Sequence, residues 1–140
     1  TNLGSFFSKI FFNNLKVLSF CMLFAFFYGA GAIFILTWNA TVIAAAIGTL
    51  TKSLAASNGL LFSGTLAFSR YLLHGIPEML GYMIAGLAGG IVSVAVINHE
   101  FRTKTFRKIM LDAGYLLIIS IFVIFIAGLI EAFVTPLFFA

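Results

Sequence analysis

A chain of 140 residues that is 62% hydrophobic and 9% charged, with a mean hydropathy of +1.16, is far too apolar for a water-soluble domain. Such domains carry about 25% charged and 45–50% apolar residues. The net charge of +4 does not indicate a nucleic-acid partner, because Lys and Arg gather at the ends of apolar segments instead of forming a soluble basic face.

A single Cys21 excludes an intramolecular disulfide. No ten-residue alternating strands separated by turns occur, so helices must satisfy the backbone inside lipid. The expectation is one all-α, multi-pass domain over residues 1–140, located in the cell membrane and requiring no cofactor.

Residues 1–16 interleave Phe6, Phe7, Ile10, Phe11 and Phe12 with Ser5, Ser8, Lys9 and Asn13, an amphipathic segment suited to the membrane surface. Residues 17–38 then form an apolar run ending at Trp38, about the length needed to cross a 30 Å hydrocarbon core. Residues 40–73 hold two apolar pieces interrupted by Thr51-Lys52-Ser53 and Ser57-Asn58-Gly59. The first piece is too short to span, so a re-entrant or interfacial helical hairpin is expected here. The alternative is two full crossings, giving five spans in all.

A further span is expected over residues 76–98, a basic loop over 99–112 and a last span over 113–136. That loop holds Arg102, Lys104, Arg107 and Lys108, four of the eight basic residues, and should be cytoplasmic. With Lys16 also inside, the region between must return to its starting side, which favours three full spans plus the hairpin over a four-span arrangement.

Small residues mark where helices meet. Gly81, Ala85, Gly89 and Ser93 recur every fourth position, with Gly86 and Gly90 beside them. Such a stripe lets another helix approach closely and gain dispersion contacts. Its partner is another helix of this chain or a second copy, so a homo-oligomer stays open.

Acidic residues are scarce, and two of the four stand in or beside apolar runs: Glu78 and Glu131. Ionisable groups at membrane depth mark binding or relay sites unless a partner explains them. His74-Gly75-Ile76-Pro77-Glu78 sets an imidazole and a carboxylate four residues apart, and Pro77 suits the first turn of a helix. Helix lengths then bring His74, Glu78 and Glu131 to a similar depth near the outer leaflet. One His and two carboxylates would also be a minimal divalent-metal set, a weak one because structural zinc prefers Cys and His.

Asn13-Asn14 before the first run, Gly29 within it, the HGIPE stretch, Gly86 and Gly89, and Glu131-Ala132-Phe133-Val134-Thr135-Pro136 together resemble the stage II sporulation protein M family. The resemblance covers nearly the whole chain in order. It implies a polytopic membrane protein with polar positions at Asn13, Asn14, His74, Glu78 and Glu131. Relatives in spore formers act as a membrane anchor or scaffold for a cell-wall-remodelling complex.

Three function classes follow. The first is a scaffold or accessory subunit recruiting other membrane proteins. The second is a small transport or permeation unit binding a proton, an ion or a lipid headgroup. The third, a membrane metallohydrolase, is a minority reading, since no GxSxG, Cys-His pair or phosphate loop is present and enzyme activity is the less favoured class. Membrane lipids are the common partner of all three.

Overall fold

The computed structural model describes residues 2–98 and 101–138. Four long helices account for nearly all of them: α1 (Leu3–Tyr28), α2 (Gly31–Asn58), α3 (Leu60–Ile97) and α4 (Lys104–Leu129). A π-helical turn, Ile130–Val134, prolongs α4 into a last short helix, α5 (Thr135–Phe138). Each of α1, α2, α3 and the continuous stretch Lys104–Phe138 is long and apolar enough to cross a membrane. No strand occurs among the described residues.

Two glycines set the turns. Gly29, at φ +58°, and Gly59, at φ +79°, take backbone conformations that L side chains rarely adopt, and each ends one helix within two residues of the next. The apolar run over 17–38 is therefore not one helix. Its hydropathy passes unbroken through Gly29-Ala30, where the chain reverses.

The pieces expected as a half-length hairpin over 40–73 belong instead to two long helices meeting at Gly59. Residues 1–16 are not a separate surface segment but the start of α1. α4 begins at Lys104, within the stretch expected as a loop; Thr103 caps it by accepting the Phe106 N–H at 3.0 Å. His99 and Glu100, the first two residues of that expected loop, lie outside the described residues.

Contacts fix the helix directions. α2 runs antiparallel to α3, with Ile43 beside Gly75 and Thr51 beside Gly64. α1 runs parallel to α3, with Asn14 on Glu78 and Met22 on Gly89. α4 is antiparallel to both, with Ile124 on Gly81 and Phe125 edge-on to Phe7 at 5.4 Å. Lys9 consequently lies toward the end of the bundle opposite the basic segment 101–108, and Lys16 lies about halfway along α1. The argument that placed Lys16 and that segment on one side fails because α1 and α2 are two helices where one span was expected.

α3 is the central element, and its small residues admit a different neighbour at each level. A Cβ added at Gly81 would stand 2.5 Å from Ile124 Cγ2 of α4, and one at Gly86 would stand 2.9 Å from Ala32 Cβ of α2. At Gly89 it would collide with the Met22 carbonyl of α1. Ala85, fully buried, joins Leu18, Cys21, Tyr82 and Ile124 in a dry core. The stripe is thus occupied by helices of this chain. α2 lies at the edge, with no fully buried residue.

Candidate functional site

Each of the two prolines lies in a helical stretch that carries an acid: Glu78 directly follows Pro77, and Glu131 stands five residues before Pro136. Pro77 stands inside α3, not in a first turn, so it cannot donate to the Leu73 carbonyl and its ring crowds that oxygen. Pro136 has the same effect on the Ala132 carbonyl, and there the backbone responds by widening: Thr135 N–H bonds the Ile130 carbonyl five residues back. The Thr135 hydroxyl donates to that same oxygen at 3.2 Å. Glu131 sits in the widened turn. Irregular backbone at membrane depth is tolerated where it lines a cavity or is covered by protein.

A cavity of about 190 Å³ lies at this level, walled by all three of the other long helices and the π turn. α1 contributes Ile10, Asn13 and Asn14; α2 contributes Asn39, Val42, Ile43 and Ala46; α3 contributes Tyr71, His74 and Glu78; the π turn contributes Glu131. Around it, Gly128 of α4 lets Phe7 of α1 approach, and Gly75 of α3 faces Ile43 of α2.

Glu78 is buried, and its Oε1 accepts a 2.5 Å hydrogen bond from Asn14 Nδ2, also buried. Glu131 lines the same cavity as Glu78. His74 is buried with Nδ1 unpartnered by any protein group, and its ring meets Tyr71 at 6.0 Å. A buried polar atom left unpaired costs about 1–3 kcal/mol. Asn39 Nδ2 donates to Met79 Sδ at 3.5 Å on the α2 side. Among the described residues no group of three His, Cys, Asp or Glu is arranged to hold a metal ion.

His74, Glu78, Glu131, Asn13 and Asn14 therefore all line one cavity. Sequence reasoning overlooked Asn39 and Tyr71. Asn39 was hidden by Trp38, read as the interfacial end of a span; the usable signal was an amide inside the run from Ile33 to Ile47. Tyr71 gave only its spacing, three residues before His74.

The family model for stage II sporulation protein M matches residues 1–136, nearly the whole chain, and the chain belongs to that family. No curated protein and no solved structure is detectably similar.

Proposed function

We propose that this member of the stage II sporulation protein M family is a multi-pass protein of the cell membrane whose cavity binds a small cationic group, serving as the recognition site of a transport or accessory unit. The observation that carries the reading is the convergence of seven polar side chains from every long element, two of them carboxylates, on one cavity in an otherwise apolar bundle. Asn14 holds one oxygen of Glu78 and leaves the other for a ligand. With two acids and no Lys or Arg among the described residues of its wall, the cavity favours positive charge.

In the orientation we propose, the segment 101–108 is cytoplasmic, because it concentrates four basic residues in one short connection. The cavity then falls in the outward half of the bundle. In a Cys21→Ala background, an impermeant thiol reagent added to intact cells should label Asn58→Cys, exposed beside the Gly59 turn, and spare Lys104→Cys. The reverse pattern inverts the orientation.

The cation reading is tested on purified protein in detergent by thermal unfolding with added ethylammonium or ethanolamine. A saturable rise in midpoint for wild type, abolished in both Glu78→Gln and Glu131→Gln, supports it. Equal responses in wild type and the two variants overturn it.

A scaffold role is the second reading, favoured by α2, which buries no residue and leaves Phe34 and Trp38 exposed. A photo-crosslinking residue at position 34 should give adducts of discrete mass in membranes, and one at Phe122 of α4 should not. Matching smears from both would remove the case for α2.

A further inference from the structure

Beside the cavity, on the other side of the α2–α3 contact, runs a groove of about 370 Å³ lined almost wholly by apolar atoms, among them Ala40, Ala44, Phe68, Leu72, Ile76 and Met79. Ile43 and Tyr71 line both spaces. Gly75, next to His74, stands at this seam and offers no side chain to close it; even a Cβ would only reach ordinary contact with Ile43, at 3.6 Å. A polar compartment and an apolar one thus share two wall residues, one on each side of the α2–α3 contact.

We propose that the two together form a site for a membrane lipid with a primary ammonium headgroup, the ammonium in the cavity and an acyl chain in the groove. The proposal rests on the cationic reading of the cavity and names its ligand. At about 190 Å³ the cavity is smaller than the ~300–1,000 Å³ usual for a whole small-molecule ligand and suits a headgroup alone. The groove supplies apolar wall and nothing to recognise a polar group.

Hydrogen-bond chemistry selects the kind of headgroup. A primary ammonium has three N–H donors and no acceptor. The cavity wall carries acceptors to meet them: the oxygen of Glu78 that Asn14 does not hold, the Glu131 carboxylate and the side-chain carbonyls of Asn13 and Asn39. One positive charge between two acids also relieves their repulsion. A quaternary ammonium has no N–H to give and is held by cages of aromatic faces. Among the described residues Tyr71 is the one Phe, Tyr or Trp on this wall. An anionic headgroup would meet both carboxylates directly.

The experiment is native mass spectrometry of the full chain released from detergent, titrated with dioleoyl phosphatidylethanolamine, phosphatidylcholine or phosphatidylglycerol, alongside thermal-shift titration with ethanolamine. Wild type should retain one phosphatidylethanolamine in preference to the other two lipids. Ethanolamine should bind about a hundredfold more weakly or worse, the factor that some four buried methylenes supply. Ala44→Trp, at an exposed position on the groove wall, should lower phosphatidylethanolamine affinity at least about tenfold and leave ethanolamine unchanged. Ala40→Phe is the second groove variant should the first fail to fold.

If ethanolamine binds but phosphatidylethanolamine binds no tighter, the lipid inference falls while the cavity reading stands. If neither binds, both fall. Equal retention of phosphatidylcholine overturns ammonium recognition, and an unaltered lipid affinity in both groove variants overturns the placement of the tail. A lipid-free dimer would give the groove to a second copy of the chain, which also overturns the proposal.

Discussion

Two stretches of α3, residues 71–79 and 81–95, meet the same neighbouring helices and do opposite things. In the second, glycine, alanine and serine recur at the facing positions, so α4, α2 and α1 each approach until backbone nearly touches side chain at Gly81, Gly86 and Gly89. In the first, the facing positions carry Tyr71, His74 and Glu78, and Pro77 removes a backbone donor; there a polar cavity remains. Helix association in lipid gains nothing from excluding water, so contact depends on how close the backbones come. One helix can be sealed at one level and open two turns away: small residues at Gly81, Gly86 and Gly89 admit the neighbouring helices, with Tyr82 filling the core between them.

The largest effect should come from forcing volume into the sealed stretch. Gly89→Leu must displace the α1 backbone at Met22, a rearrangement that costs about 3 kcal/mol or more, and its detergent melting midpoint should fall furthest of any variant considered. Gly90→Leu, one residue on, meets open space and should stay near wild type. Ala85→Leu should fall between, at about 1–3 kcal/mol, because Ala85 is fully buried in the dry core. Matching midpoints for Gly89→Leu and Gly90→Leu would sink the distinction between sealed and open faces.

In the open stretch the sensitive element is a hydrogen bond, not volume. Asn14→Ala strips the buried Glu78 of its donor and should cost about 1–3 kcal/mol. Glu78→Gln keeps an amide oxygen for Asn14 and nearly the same shape, so it should cost under about 1 kcal/mol while removing the charge. Thermal unfolding of the two variants side by side checks the order. If Glu78→Gln is the more damaging, the bond is not what joins α1 to α3 here.

The same contrast explains what the sequence made legible. Membrane class, helical structure and family could be read because apolar runs and paired motifs are properties of residues in order. The number of helices could not, because hydropathy records polarity and not direction: Gly29 reverses the chain inside an apolar run without a polar residue to mark it. Within the cavity, His74, Glu78 and Glu131 announced themselves as ionisable groups among apolar neighbours. Asn39 and Tyr71 reach it only because α2 lies antiparallel along α3, and that depends on both glycine turns. Pro77 was read as a helix start because that is where proline is cheapest; in α3 it stands mid-helix, at the level where the bundle opens.

Reaching the same level from α4 requires the widened turn, and this gives the smallest stability effect with the sharpest test of the comparison. Pro136 blocks a regular helix at Ala132, and the π turn adds one residue, so the phase shifts by about 100° between α4 and α5. Pro136→Ala restores an N–H donor and removes the crowding, and the turn can then close to an ordinary α-helix. The gain in regular hydrogen bonding opposes the loss of packing at buried Thr135, and the net change should stay within about 1 kcal/mol. Glu131, however, no longer occupies the widened turn that presents it to the cavity. Ethanolamine should therefore stabilise Pro136→Ala much less than wild type, approaching the flat response expected of Glu131→Gln, while the unliganded melting midpoints of wild type and Pro136→Ala nearly coincide. A full ligand response in Pro136→Ala would mean that the irregular turn belongs to the packing of α5 and not to the open level of the bundle.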